Sequence, residues 1–162
     1  MHDEPRFIDM LEVLVRHRAN FIVVGGVAAI VHGSPLMTGD LDILHDPKPE
    51  NIPRVLAALL EMDAIYRDPA GRRIPPDENK LSTFRMNLMK TDLGPLDILR
   101  SIGSGLTYSD LLARSDEFVI AGFQVRVLNL EAIIESKEYA DRPKDRIAIP
   151  YLRELLEMKK ST

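Results

Sequence analysis

The stretch GGVAAIVHGSPLMTGDLDI, residues 25–43, decides how the fold is interpreted. It opens with the pair Gly25-Gly26 and ends with two aspartates, Asp40 and Asp42, separated by one residue. A glycine pair before a helix forms either a phosphate-binding turn or an ordinary tight turn. Two aspartates at this spacing either bind a metal ion or face solvent. Each half of the stretch leaves both alternatives open, so the rest of the chain has to decide between them.

The residues around this stretch predict helices and strands that alternate along the chain. Phe21–Val24 is a short apolar run, typical of a buried strand, and the glycine pair ends it. Apolar residues three and four apart predict amphipathic helices, whereas alternating polar and apolar residues predict strands. The predicted helices cover about residues 5–18, 27–31, 52–60, 130–140 and 150–159. The other predicted strands cover about residues 41–44, 83–90, 95–100, 118–121 and 124–128.

This order of elements predicts an α/β (α+β) protein with a mixed β-sheet flanked by helices. The length of 162 residues fits one domain, residues 1–162, with C-terminal helices at 130–160 packed on it. Residues 68–80 contain three prolines and a glycine and are expected to form the least ordered loop. Four cations in and beside this loop are candidates for a local phosphate-binding patch: Arg67, Arg72, Arg73 and Lys80.

The composition excludes several classes of protein. The absence of cysteine excludes disulfides, thiolate zinc sites and cysteine nucleophiles. A net charge of −4 gives no indication of a protein that coats nucleic acid. The N-terminus lacks a signal-peptide pattern, and the most apolar segment, residues 21–31, is far shorter than the roughly 20 residues of a membrane-spanning helix. We therefore expect a cytoplasmic protein without a membrane partner.

The aspartates are better placed for metal binding than their spacing alone indicates. Residues i and i+2 of a strand project to the same face, so Asp40 and Asp42 are expected to point the same way. Aspartate is disfavoured in strands, yet these two lie in an apolar frame, and Asp97 lies in a similar one. If the two strands are neighbours, three carboxylates converge. Such a cluster is unfavourable in a core but suits two-metal phosphoryl transfer.

The glycine pair does not match either common phosphate-binding motif. It belongs neither to a Gly-x-Gly-x-x-Gly fingerprint nor to a P-loop ending in Gly-Lys-Ser/Thr. A strand that ends in Gly25-Gly26 before a helix would still leave backbone N–H groups free to bind phosphate. A tight strand-to-helix turn remains the alternative.

Taken together, these motifs resemble the nucleotidyltransferase (polymerase-beta-like) superfamily. The resemblance rests on Gly25-Gly26, a spacer of thirteen residues, Asp40-Leu41-Asp42-Ile43, and the later Asp97 in its apolar frame. The string from Gly25 to Ile43 is similar to minimal members near the AbiEii-type toxins of type IV toxin–antitoxin systems. A C-terminal block with Glu135, Lys137, Ala140, Arg142, Lys144 and Asp145 also resembles that group.

The resemblance implies a role for each matching residue. Asp40 and Asp42 would hold Mg²⁺ (or Mn²⁺), and Asp97 would complete the metal site and act as the base. Gly25 and Gly26 would cradle the phosphates of a nucleoside triphosphate. Lys137 would contact the triphosphate, and Asp145 would orient the triphosphate or the lysine. For the last two residues, a solvated helix face and a favourable position at a helix start remain alternatives.

The predicted activity is transfer of a nucleoside monophosphate from a triphosphate to an acceptor hydroxyl. The resemblance leaves the acceptor open: a tRNA, a protein or a small molecule, including an antibiotic of the lincosamide or aminoglycoside type. It also implies a possible toxin–antitoxin partner protein. The alternative is an inactive module of the same fold that acts as an antitoxin or binds a partner. The three intact aspartates argue against inactivity, because idle carboxylates would only repel one another.

Overall fold

The computed structural model describes residues 4–161 of the chain. The α-helices are α1 Phe7–Arg16, α2 Gly25–Val31, α3 Ile52–Glu61, α4 Glu78–Thr83, α5 Tyr108–Leu111, α6 Leu130–Ala140 and α7 Pro143–Lys160. The strands are β1 Phe21–Val24, β2 Leu41–His45, β3 Ile65–Tyr66, β4 Met86–Thr91, β5 Gly94–Leu99, β6 Ser101–Ile102, β7 Leu106–Thr107, β8 Ser115–Ile120 and β9 Phe123–Leu128. A short 3₁₀ turn at Leu112–Arg114 follows α5.

One mixed sheet organises the structure. Its seven strands lie in the order β3-β4-β5-β2-β1-β9-β8, while β6 and β7 form a separate pair. At the centre, β1 pairs antiparallel with β2 and parallel with β9, and β2 pairs parallel with β5. All four residues of β1 are buried. A strand covered on both faces favours such a continuous apolar run over polar alternation. The predicted mixed sheet flanked by helices is confirmed.

The C-terminal helices pack against each other and against α2. Leu130, Ile133 and Leu152 are buried in the same hydrophobic cluster as β1 and β2. At the end of α2, a Cβ on Gly33 would lie 3.5 Å from a methyl carbon of Leu155 on α7. The α6–α7 pair is thereby held beside the point where α2 begins. Within residues 4–161, the helices are too short or too polar to cross a bilayer.

Most predicted elements are present, with shifted ends. The helix after β1 begins at Gly25, two residues before its predicted start. The last helix begins at Pro143 and continues through Pro150, although a break was expected at residues 142–145. Proline is well accommodated in a first helical turn, because the N–H that it lacks has no partner there. Asp40 precedes β2 and so lies at the entrance of the strand.

The burial of β4 does not follow its polar–apolar alternation. The alternation of residues 84–88 places apolar side chains on one face, yet Met86 is 53% exposed and Asn87 is fully buried. Asn87 is compensated by hydrogen bonds: Tyr66 Oη donates to its Oδ1, and its amide donates to the carbonyl of Ile98 at 3.3 Å. A buried amide with both groups paired costs little, so polarity did not determine which face is inside.

Candidate active site

The two central carboxylates face each other across adjacent strands. In the parallel pair β2–β5, Asp42 is in register with Asp97. The expectation that the strand of Asp97 neighbours the strand of Asp42 is therefore confirmed. Asp97 is 8% exposed, and Asp42 is only partly accessible. Asp40 lies at the entrance to β2 and borders the same cavity as this pair.

The crowding of these carboxylates changes the acidity of Asp42. Burial, together with the neighbouring Asp97 and the charge of Asp40, raises the pKa of Asp42 to about 7. Lys144 opposes the shift. A positive charge beside such a carboxyl would favour its ionised form and lower its pKa. The centre of the site is therefore short of positive charge.

Arg67 supplies part of that positive charge, on the side of Asp97. Its Nη1 donates to Asp97 Oδ1 at 2.8 Å and to the carbonyl oxygen of Met89, also at 2.8 Å. Arg67 follows β3, and its backbone N–H donates to the carbonyl of Leu88, which keeps the residue beside β4. One oxygen of Asp97 is thereby fixed in place. Nothing in the sequence assigns Arg67 to this position, because the contact depends on how β3 pairs with β4.

The residues present fit a divalent cation. The strain on a crowded carboxyl such as Asp42 is relieved when a cation replaces its proton, and carboxylate oxygens are the ligands that Mg²⁺ and Mn²⁺ accept. The fit is limited in one respect. Among residues 4–161, no group of three or more acidic or histidine side chains forms a ready-made metal cage. The convergence of three carboxylates is thus realised as the pair Asp42 and Asp97, with Asp40 beside it.

The glycine pair makes room for this arrangement. Gly25 has a φ of 67°, and a Cβ there would lie 2.4 Å from Asp42 Oδ2. A Cβ on Gly26 would lie 2.7 Å from Oγ1 of Thr38, in the loop before β2. Only glycine allows both the left-handed backbone and the close approach of these side chains. The pair therefore packs the start of α2 directly against Asp42 and Thr38.

The C-terminal block meets the glycine pair from the other side. Asp145 is completely buried and accepts hydrogen bonds from Arg142, including one from Nε at 2.7 Å. Lys137 Nζ lies 3.7 Å from Asp145 Oδ1. Burial lowers the pKa of Lys137, and the charge of Asp145 opposes that shift. Lys137 borders the cavity beside the glycines. The buried Asp145 contacts both Lys137 and Arg142 and does not line the cavity itself.

Two cavities meet at the aspartates. The first, which we call the glycine cavity, has a volume of about 280 Å³ and is lined by both glycines, Lys137 and Ile147. The second, which we call the Asp97 cavity, has a volume of about 360 Å³ and is lined by Asp97 together with residues of β6 and α6. Five residues line both cavities: Gly25, Asp40, Asp42, Arg142 and Lys144. The aspartates thus stand between two spaces that two different molecules can occupy.

The cations predicted to form a phosphate-binding patch are neutralised. Arg67 pairs with Asp97, Arg72 with Asp68, Arg73 with Asp63, and Lys80 with Asp77, at N–O distances of 2.7–2.8 Å. Each cation therefore has a carboxylate of its own. The expected patch is wrong, because Asp68 and Asp77 in the loop and two carboxylates outside it pair with these cations. Arg142 and Lys144, which belong to the C-terminal block of the sequence motif, line both cavities instead.

Comparisons with known proteins agree with this fold. No protein-family model and no curated protein matches the sequence. Among solved structures, the lincomycin-bound lincosamide antibiotic adenylyltransferase LnuA superposes with a TM-score of 0.64 at 15% identity, over 92% of this chain and 95% of LnuA. ANT(2'')-Ia with adenylyl-2''-tobramycin gives 0.59 at 16% identity, over 95% and 89%. A nucleotidyltransferase candidate from Thermotoga maritima gives 0.55 at 18%, over 97% and 98%.

The chain has a nucleotidyltransferase fold. The alignment covers nearly the full length of this chain and of each of these structures, so the fold likeness is not confined to one motif. At these identities, the likeness establishes the fold and leaves the chemistry to be argued from the site. The expected place of the chain near the AbiEii-type proteins remains a prediction.

Proposed function

We propose that this chain is a metal-dependent nucleotidyltransferase that moves a nucleoside monophosphate from a nucleoside triphosphate to an acceptor hydroxyl. The observation that carries the proposal is the pair Asp42 and Asp97, in register on adjacent strands and packed against Gly25. This carboxylate pair stands between two cavities in a nucleotidyltransferase fold. The likeness to antibiotic adenylyltransferases supports the class of reaction.

The glycine cavity is the proposed triphosphate site. Gly25 and Gly26 present backbone N–H groups at the start of α2, and these groups suit phosphate oxygens. Lys137 and Lys144 line the same space and would balance the charge of the phosphates. Asp145 would keep Lys137 in place, since the ion pair lies below the cavity surface.

The Asp97 cavity is the proposed acceptor site. The acceptor oxygen would form a bond to the α-phosphorus, the bond from that phosphorus to the bridging oxygen would break, and pyrophosphate would leave. Asp97 would take the proton of the hydroxyl as the general base. Asp40, Asp42 and Asp97 would hold Mg²⁺ or Mn²⁺, which, when bound, supplies charge neutralisation for the phosphates and the attacking oxygen. A single catalytic domain, a cytoplasmic location and a toxin–antitoxin role stay parts of this proposal.

A thermal-shift screen tests the nucleotide-binding half of the proposal. The wild-type protein is melted with each of the four nucleoside triphosphates, with Mg²⁺, with Mn²⁺ or with a chelator. The proposal predicts stabilisation by a triphosphate together with a divalent cation, and little stabilisation of Asp42→Ala. No stabilisation under any of these conditions would indicate a non-catalytic module that binds a partner protein.

A further inference from the structure

We propose that the acceptor is the terminal hydroxyl of an oligonucleotide chain, which lies along a basic groove leading out of the Asp97 cavity. This inference rests on the proposed function and names the acceptor class for the same site. It distinguishes among the tRNA, protein and small-molecule acceptors that the sequence leaves open.

The Asp97 cavity continues into a neighbouring groove. Arg85 and Ser101 line the Asp97 cavity and also an adjoining space of about 250 Å³, which we call the arginine groove. The arginine groove is further lined by Arg100 and by residues of the loops around β6 and β7. The backbone N–H of Arg100 donates to the carbonyl of Arg85, so the two arginines stand side by side at the ends of β5 and β4. Arg85 and Ser101 thus form a wall that the two spaces share.

The arginines of this groove keep their charge. Arg85 donates to the hydroxyl of Ser101 at 2.9 Å and to the carbonyl of Gly103 at 3.2 Å, and Arg100 donates to the carbonyl of Ser82. These partners are neutral oxygens, so they orient the guanidinium groups without cancelling them. The loop cations, by contrast, are each paired with a carboxylate. An oriented arginine with its charge uncompensated is a favourable phosphate contact.

The groove carries no opposing negative charge. None of the residues that line the arginine groove is acidic. In the Asp97 cavity, the acidic lining residues are the three site aspartates, and Arg85, Arg142 and Lys144 accompany them. A polycationic acceptor would be repelled by this groove, whereas a phosphodiester chain would gain contacts along it.

The rim offers surfaces on which a base can stack. Tyr139 and Met86 both line the Asp97 cavity and are 65% and 53% exposed. Single-stranded nucleic acids bind through positively charged grooves together with exposed aromatic side chains, on which unpaired bases stack. The combination of Tyr139 with Arg85 therefore favours an unpaired oligonucleotide end over a neutral antibiotic. The product of the reaction would be the oligonucleotide extended by one nucleotide, with pyrophosphate released.

Labelled transfer with four acceptors tests the proposal. The wild-type protein is incubated with Mg²⁺ and a mixture of α-³²P-labelled triphosphates, together with a random single-stranded RNA, a random single-stranded DNA, lincomycin or tobramycin. Extension of RNA, of DNA or of both is the expected result. Comparing the RNA and DNA incubations shows whether the acceptor carries ribose or deoxyribose. Label on lincomycin, on tobramycin or on protein, with none on the oligonucleotides, would overturn the inference and leave the proposed function standing. No transfer and no triphosphate binding in the thermal-shift screen would overturn both.

Direct binding provides a readout that needs no catalysis. Fluorescence anisotropy of a labelled oligonucleotide is measured over a range of salt concentrations for the wild type and for Arg85→Gln/Arg100→Gln. Loss of two phosphate contacts should lower the slope of log affinity against log salt by about 1.4 and weaken binding by at least about tenfold. Arg153→Gln is the matched control, because Arg153 pairs with Glu138 on the exposed surface of the α6–α7 pair. Equal slopes for all three proteins would refute the proposal that the oligonucleotide binds along the arginine groove.

Discussion

The sharpest prediction concerns Asp42→Asn in the metal-free protein. Burial, with Asp97 and Asp40 nearby, raises the pKa of Asp42 from 3.8 to about 7. A carboxyl with a raised folded-state pKa leaves folding undisturbed below pH 3.8, and its ionisation costs stability as the pH rises towards 7. A shift of this size corresponds to roughly 4 kcal/mol above pH 7. Asparagine cannot ionise, so the variant avoids this cost.

We therefore expect Asp42→Asn to be more stable than the wild type at pH 8 by about 2–4 kcal/mol, since an amide replaces only part of the hydrogen bonding. For a chain of this length, each kcal/mol corresponds to about 2–4 °C in Tm. Thermal melts between pH 4 and pH 8 in a chelator measure the difference. It should grow with pH, level off above about 7, and disappear near pH 4.

A matched control separates the local effect from a general one. Asp92→Asn makes the same chemical change in the exposed turn between β4 and β5, and it should leave the Tm nearly unchanged at every pH. Adding Mg²⁺ with a triphosphate should stabilise the wild type but not Asp42→Asn. The difference in Tm between the two proteins should therefore become smaller. An Asp42→Asn protein that is no more stable than the wild type at pH 8, or whose advantage does not depend on pH, would refute this account of the carboxylate pair.

Three further changes test other parts of the structure. Arg67→Gln should lower kcat by about 10–100-fold, because Asp97 loses the group that orients it; steady-state kinetics should show the KM for triphosphate within about twofold of wild type and partial recovery in Arg67→Lys. Gly25→Ala should destabilise the fold by about 1–3 kcal/mol in denaturant titrations, more than Gly71→Ala, which shares a positive φ but has open space around it. His45 is fully buried and its two ring nitrogens have no hydrogen-bond partner, and burial beside Arg100 lowers its pKa to about 4. The free energy of unfolding of the wild type should therefore fall by about 3 kcal/mol as the pH drops from 6.5 towards 4. His45→Leu should lack this loss and should be at least as stable as the wild type in acid melts.

Local patterns in the sequence predicted the elements that carry the site. The apolar run Phe21–Val24, the glycine pair that ends it and the polar–apolar alternation around Asp42 are signals within a few residues of one another. They placed Asp42 on a strand and the glycine turn before a helix. The apolar frame of Asp97 suggested a neighbouring strand, and the register of β2 with β5 confirms it.

Features that depend on distant pairing were not predictable in this way. The two-residue strand β3 exists because Ile65 and Tyr66 pair with β4, and it brings Arg67 to Asp97. The burial of Asn87 likewise depends on Tyr66, 21 positions earlier in the chain. The charge of the arginine groove was also hidden, since only the structure reveals which cations have a carboxylate beside them.

The most direct test of the central claim is label transfer by wild type and by Asp97→Asn, with thermal melts to verify that both are folded. Each protein is incubated with Mg²⁺, α-³²P-labelled triphosphates and the oligonucleotides, small molecules and protein extract of a cell lysate. The account predicts label on an acceptor with the wild type and at least about a 100-fold lower rate with Asp97→Asn, because the general base is lost. Equal labelling by both proteins would contradict the account.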